Sequence, residues 1–161
     1  MSKNPLITFW DFATGLYGRE GVKAVSLALQ DERGDDVLFV FACLYAAIEG
    51  GGTLAVAPLL KALEPWQSEV TERLRAARRA AGPGALAQQI LAAELAAERI
   101  AYDRAEPLLG PFGAPRTRDL VQSWAQANFW HYRAETGRGV TAEDEARFAV
   151  LIASSANPRV L

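Results

Sequence analysis

Residues 37–48 read VLFVFACLYAAI, and this stretch decides the fold because every position in it is apolar. An α-helix turns by about 100° per residue, so an apolar run of this length covers the whole circumference of the helix. A helix of that kind is buried on every side, which places it at the centre of a helical assembly. The run is also well short of the ~20 apolar residues that a membrane span requires. We therefore expect a central core helix and no membrane span.

The composition narrows the class of protein and the choice of partners. The chain has 161 residues with 17 basic and 19 acidic side chains, a net charge of −2. The charges are spread evenly and form no basic arm, so we expect no nucleic-acid partner. Cys43 is the one cysteine, which excludes a disulfide within the chain and favours a reducing compartment. The first residues lack the basic and apolar segments of a secretory signal. We predict a cytoplasmic protein.

Strong helix formers fill the rest of the chain, and alanine is the most frequent of them. Glycine and proline cluster between the helical segments, as stops and loops require. The pattern predicts helices at residues 8–17, 20–31, 35–49, 56–63, 65–81, 84–108, 117–136 and 141–154. Pro65 suits the first position of its helix, and Thr141 is a predicted N-cap. We predict an all-α fold, a single domain over residues 1–161 in which seven or eight antiparallel helices surround helix 35–49.

Several short segments of the first half occur together in a known family. They are FWDF at 9–12, LYG at 16–18, GV at 21–22, LALQD at 27–31, GDDV at 34–37, PW at 65–66 and LRAARR at 74–79. In these segments the sequence resembles a family of uncharacterised proteobacterial proteins, over roughly residues 7–81. It departs from the family pattern at Leu38, where the family has an amide or a similar polar residue. The resemblance implies a helical architecture and carries no activity with it.

The densest basic stretch lies on helix 65–81. Arg75, Arg78 and Arg79 follow one another at i, i+3 and i+4, so they share one side of the helix. We place that side opposite the apolar stripe of the helix. Three guanidinium groups on one side predict a contact with an anionic protein partner. A face that is simply solvated is the alternative.

Two helices of the second half turn polar groups toward their apolar sides. The polar residues within these apolar arcs are Glu94 and Glu98 on helix 84–108, and Asn128, His131, Tyr132 and Glu135 on helix 117–136. Arg133 falls on the opposite, solvent side of helix 117–136. A bare carboxylate in a dry interior costs several kcal/mol unless it is paired, hydrogen-bonded or bound to metal. We therefore expect these inward-facing groups to have partners.

The inward polar residues allow three interpretations if the two helices pack antiparallel. The first is a structural network with Arg104, Arg116 or tyrosine hydroxyls. The second is a polar pocket for a small ligand, and the third is a metal site built from carboxylate and imidazole donors. Di-iron carboxylate bundles carry Glu-x-x-His on paired helices, and the single histidine of this chain cannot build that pattern. We assign the residues to ligand binding, name no metal ligand and leave the cofactor unknown.

No motif of a standard hydrolase, kinase or phosphate-binding loop occurs in the sequence. We therefore predict a non-enzymatic helical binding or adaptor module. Its partner is expected to be a protein or a small ligand, and a homodimer is one form that a protein partner can take. The alternative is a small-molecule or metal-binding helical protein, with catalysis an open option. Its polar site would lie between helices 84–108 and 117–136, with His131 as base or ligand.

Overall fold

Helices make up about three-quarters of the residues that the computed structural model describes, which are 5–113 and 116–155. Within those residues the helices are α1 (Phe9–Tyr17), α2 (Val22–Arg33), α3 (Val37–Ile48), α4 (Val56–Trp66), α5 (Glu72–Ala81), α6 (Ala85–Ala105), α7 (Arg118–Glu135) and α8 (Ala142–Ser154). A π-helical turn (Gln67–Thr71) joins α4 to α5, and a 3-10 turn (Glu106–Leu108) follows α6. The described residues contain no strand. The predicted all-α fold is confirmed, with seven helices if the continuous stretch 56–81 is counted once.

The predicted break before Pro65 is wrong. Pro65 lies inside α4, and the chain passes directly through the π turn into α5. Proline has no backbone N–H and interrupts the hydrogen bonding of a regular α-helix. Here the wider π turn that follows it carries the helical chain onward. Pro65 therefore interrupts a long helix instead of opening a new one.

The chain divides into two compact units. The first unit contains the residues up to Val56 together with those from Leu109 onward, and the second contains Ala57–Leu108. The first unit thus holds α1, α2, α3, α7 and α8, while the second holds nearly all of α4 with α5 and α6. The single domain over residues 1–161 stays a prediction.

In the first unit, α3 is the most completely buried element. Every side chain from Leu38 to Ile48 is at most 7% exposed, as the apolar run predicted. α3 packs against α1, α2 and α7. Asp36 caps its N-terminus by accepting a hydrogen bond from the backbone N–H of Leu38. The predicted cap of α8 is also present: Thr141 and Asp144 form a reciprocal capping box.

The second unit is built on a helical hairpin. α5 ends at Gly82, whose positive φ of 67° favours glycine, and a short turn leads into α6. α5 and the preceding π turn pack against α6. Trp66 anchors the other end of the pair, because its indole N–H donates to the carbonyl of Ala97 at 3.0 Å. Arg104 lies over the same indole ring, 4.2 Å from its centroid.

Of the helices described, none combines the length and the apolar character that would be needed to cross a membrane.

Candidate functional site

Glu94 lies at the centre of an ion-pair cluster between α5 and α6. Its side chain is 5% exposed, and both carboxylate oxygens accept hydrogen bonds from arginines of α5. Arg78 donates from Nε to Oε2 at 2.6 Å, and Arg75 donates from Nε to Oε1 at 3.1 Å. Arg75 also reaches Glu98 at 3.4 Å. The inward placement of Glu94 is confirmed, and its charge is balanced within the second unit.

The pKa of Glu94 reflects these contacts. Burial of the carboxylate acts to raise the pKa, because a charged group is disfavoured away from water. The hydrogen bonds from Arg78 and Arg75 act in the opposite direction and outweigh burial, so the pKa lies below its ordinary value. Glu94 is therefore held in its ionised form, which suits a structural anchor better than a general acid.

The prediction that Arg75 and Arg78 face solvent opposite the buried side of their helix is wrong. Both side chains reach across to α6 and are about one-third exposed, while Arg79 is exposed. The predicted partners of Glu94, Arg104 and Arg116, are replaced by these two arginines. The register between α5 and α6, which no single helix reveals, decides this pairing. Binding of an anionic partner by Arg75, Arg78 and Arg79 stays a prediction.

One side of α6 is an exposed surface without charge in the second unit, and we call it the outward face of α6. We use this name for Leu86, Gln89, Ala93, Ala96 and Ile100, which are spaced alternately by three and four residues and are all exposed. Leu86 is 60% exposed and Ile100 is 40% exposed. The only charged residues between positions 85 and 98 are Glu94 and Glu98, which pair with α5. The outward face therefore carries no charge, and Gln89 is its one polar side chain.

In the first unit, Asn128 holds the segment that follows α3. Its side-chain oxygen accepts from the backbone N–H of Leu54 at 2.8 Å. Its amide nitrogen donates to the carbonyls of Gly52 and Cys43, at 2.8 and 3.1 Å. Asn128 is 3% exposed, as its inward placement predicted. Its polar atoms are thus engaged by backbone groups of the same unit.

Arg116 binds the backbone at the end of α3 and in the segment that follows it. It donates to the carbonyl oxygens of Ala47 and Gly50, each at 2.6 Å, and so covers the end of α3. A basic group at a helix C-terminus interacts favourably with the unpaired carbonyls there. Gly50 is required because a Cβ atom would lie 2.0 Å from the carbonyl oxygen of Leu109. These contacts make the end of α3 a structural junction.

Tyr132 is buried, and its hydroxyl oxygen accepts a hydrogen bond from the backbone N–H of Asp36 at 3.0 Å. Its ring stacks on Phe39, with centroids 5.5 Å apart. Burial of the phenol is the main reason that its pKa is raised to about 12. Tyr132 therefore connects the start of α3 to α7.

His131 and Glu135 do not face the interior, which corrects their predicted orientation. Their side chains are 52% and 40% exposed, and they contact each other at 3.3 Å along the surface of α7. The predicted apolar arc included Leu120 and Trp124, which lie on this side of the helix. Leu120 is in fact 44% exposed and Trp124 is only half-buried. The covered side of α7 lies further round the helix. His131 and Glu135 belong to the first unit, whereas Glu94 and Glu98 belong to the second.

Arg133, which the sequence pattern assigned to solvent, is fully buried. Its guanidinium forms a two-pronged contact with Asp35, at 2.8 Å from Nε and 2.7 Å from Nη2. Nη1 donates to Asp144 at 3.1 Å and to the carbonyl of Gly139 at 2.7 Å. Arg138 pairs with Asp35 from the other side. We call Arg133, Arg138, Asp35 and Asp144 the buried arginine cluster.

The buried arginine cluster shifts the pKa of its acidic member Asp144. Burial acts to raise the pKa of this carboxyl group. Hydrogen bonds from the Thr141 backbone and from Arg133 outweigh burial and lower the pKa to about 2. The cluster thus keeps its charges and joins the α2–α3 loop, the end of α7 and the start of α8. The sequence contains part of the signal for this cluster, because acidic residues lie at the starts of two helices. No pattern within a single helix identifies Arg133 as their partner.

Across the described part of the chain, no group of three or more histidine, cysteine, aspartate or glutamate side chains is arranged to hold a metal ion. Cys43 is fully buried in α3, and burial raises the pKa of its thiol far above the ordinary value. Ligand binding by the six predicted residues stays a prediction.

Comparison with known proteins gives one match. A family model described as "Protein of unknown function (DUF2390)" matches residues 8–104. No curated protein and no solved structure matches the chain. The matched segment covers more than half of the chain and extends beyond the resemblance over residues 7–81 into α6. The proteobacterial origin and the individual motifs stay predictions. The chain belongs to the family of proteins of unknown function DUF2390.

Proposed function

We propose that the protein is a non-enzymatic, cytoplasmic helical binding module that docks a protein partner on the outward face of α6. The observation that carries the proposal is the exposure of Leu86 and Ile100 on one side of α6, where the residues between them on that side, Gln89, Ala93 and Ala96, carry no charge. Exposed apolar side chains that are grouped on a surface mark interaction sites more often than scattered ones do. Charged residues are also depleted at the centres of protein interfaces.

The contacts of the residues predicted to bind a ligand support this choice over a small-molecule or metal site. Both oxygens of Glu94 accept from arginines, and Asn128 is engaged on both its oxygen and its nitrogen by the backbone. A ligand would have to displace these internal partners, which is costly for buried polar groups. No observation among the described residues favours the alternative function.

Site-specific photo-cross-linking tests the proposed function. A photoreactive residue replaces Gln89, on the outward face of α6, in the full chain within its native host. The matched control replaces Gln122, an exposed glutamine of α7. We expect one discrete adduct from position 89, identified by mass spectrometry and lost when Ile100→Glu is added. The control should give no such adduct. Equal products from the two positions, or no adduct from position 89, would contradict the proposal.

A further inference from the structure

An apolar stripe that runs from the π turn into α5 is left largely uncovered. It consists of Val70, Leu74, Ala77 and Ala81, whose spacings of three and four residues place them on one side of a helix. Val70 and Leu74 are half-buried, Ala77 and Ala81 are exposed, and no residue of α5 is buried. An amphipathic helix normally buries such a stripe against its neighbours. The packing of α5 on α6 therefore covers only one edge of this stripe.

Two contacts of Trp66 place the apolar stripe and the outward face of α6 on the same side of the hairpin. Trp66 precedes Val70 by one helical step, so it continues the stripe. Its indole N–H donates to the carbonyl of Ala97, and its ring lies under Arg104. Ala97 follows Ala93 by one such step, and Arg104 follows Ile100 in the same way. The stripe and the outward face thus form the two walls of one groove.

This groove, which we call the α5–α6 groove, has uncharged walls and an arginine at one end. The wall residues are Val70, Leu74, Ala77 and Ala81 on one side and Leu86, Ile90, Ala93 and Ile100 on the other. Arg104 lies at the end, 4.2 Å above the centroid of the Trp66 ring. None of the carboxylates that the structure describes forms an ion pair with it. A guanidinium that stacks on a ring uses its face for that contact, so its N–H groups remain available to a carboxylate.

We infer that the α5–α6 groove binds an amphipathic α-helix of the protein partner, with an acidic side chain of that helix paired with Arg104. This inference rests on the proposed function and names the kind of partner. A groove between two packed helices fits a third helix, whose apolar side chains at i, i+3, i+4 and i+7 enter it. The acidic side chain supplies the carboxylate that Arg104 lacks. Charge complementarity of this kind fixes the register and direction of the bound helix.

Binding of synthetic peptides to the purified full chain tests the inference. Three fluorescently labelled peptides share one amphipathic helical sequence, with leucines along one side and a length that spans α6 from Leu86 to Arg104. They differ only in the last turn, which holds glutamates, glutamines or lysines. Fluorescence anisotropy should show the glutamate peptide binding about five times more tightly than the glutamine peptide, and the lysine peptide binding most weakly. Equal binding of the three, or no binding of the glutamate peptide up to its solubility limit, overturns the inference.

Matched variants of the full chain test where the peptide binds. Arg104→Gln should abolish the preference for glutamate, whereas Arg79→Gln, at another exposed arginine, should keep it. Ala77→Glu places a charge in the α5–α6 groove and should weaken binding of all three peptides about tenfold. Ala76→Glu, at the neighbouring exposed alanine outside the groove, should not. Circular dichroism checks that each variant is folded. A glutamate preference that survives Arg104→Gln, or equal effects of the two alanine variants, overturns the inference.

A second pair of photo-cross-linking positions separates this inference from the proposed function. In the native host, a photoreactive residue at position 77 should give an adduct with the same protein as position 89, and one at position 76 should not. If position 89 gives an adduct and position 77 does not, the groove fails and the docking face remains. If neither gives an adduct, both fail. An adduct that contains two copies of this chain puts a second copy in place of the acidic partner helix and overturns the inference.

Discussion

The two units of the molecule each contain a cluster of arginines and carboxylates, and the two clusters are built in opposite ways. In the first unit the shared group is a buried cation: Arg133 is fully covered and contacts Asp35 and Asp144. In the second unit the shared group is a buried anion: Glu94 is covered, while Arg75 and Arg78 remain about one-third exposed. The first cluster joins segments far apart in the chain, whereas the second joins two neighbouring helices.

This difference sets the energetic weight of each cluster. A buried ion that loses its partner cannot be solvated, so breaking a fully covered pair is expensive. Partly exposed arginines can turn to water when their partner is removed, and their ion pairs are worth little. The same residue types therefore join distant segments of the chain in the first unit, where their loss is costly. In the second unit they join two neighbouring helices, where their ion pairs contribute little to stability. Mutations that act on the two clusters should separate these roles.

The largest effect is expected for Arg133→Met. It leaves the buried carboxylates of Asp35 and Asp144 with only their partly exposed partners, Arg138 and Arg33. The free energy of unfolding should therefore fall by about 3 kcal/mol, the lower end of the cost of breaking a buried pair. Urea denaturation followed by circular dichroism measures this change. Arg133→Lys keeps the charge but loses the two-pronged contact, and it should cost less. A loss below that of Glu94→Gln would show that the first cluster is not the stronger one.

A pH dependence of stability should follow from Asp144. Its pKa is lowered from 3.8 to about 2 in the folded chain, so the folded state favours the ionised form. The stabilisation, about 2 kcal/mol, is fully present above about pH 5 and decreases as pH falls toward 2. The difference in unfolding free energy between the wild type and Asp144→Asn should therefore shrink by about 1 kcal/mol between pH 5 and 3. A difference that stays constant with pH would contradict the assignment.

The smallest effect is expected for Glu94→Gln. The amide keeps the shape of the carboxylate but has one acceptor oxygen, so it can accept from either Arg75 or Arg78 while the other arginine turns to water. The loss should be about 1 kcal/mol. Thermal unfolding at low and high salt measures it, and the loss should be smaller at high salt because these arginines are partly exposed. A salt-independent loss as large as that of Arg133→Met would place the two clusters in the same class.

The all-α fold could be predicted from the sequence because the signals for it lie within single helices. The apolar stretch at 37–48 predicts burial by itself, and Thr141 predicts the start of α8 from a capping pattern of a few residues. Glu94, Asn128 and Tyr132 were also placed inside correctly, since each lies well within the apolar arc of its helix. These features depend on one helix at a time.

The remaining errors involve features that depend on a second element. A helical wheel shows which residues share a side, but the neighbouring helices decide how far around that side is covered. This is why Arg133, at one edge of the apolar arc of α7, is buried and His131, at the other edge, is exposed. The pairing of Glu94 with Arg75 and Arg78 depends likewise on the register between α5 and α6. A pattern within one helix shows neither how far its neighbours cover it nor the register between two helices.

The two sides of α6 offer the most direct test of the account, because one is assigned to stability and the other to association. The measurement is the yield of the cross-linked adduct from a photoreactive residue at position 89, in Glu94→Gln beside Ile100→Glu, under conditions in which both are folded. The account predicts that Glu94→Gln keeps the adduct of the wild type and that Ile100→Glu loses it. An adduct that persists in Ile100→Glu, or that is lost in a folded Glu94→Gln, would contradict it.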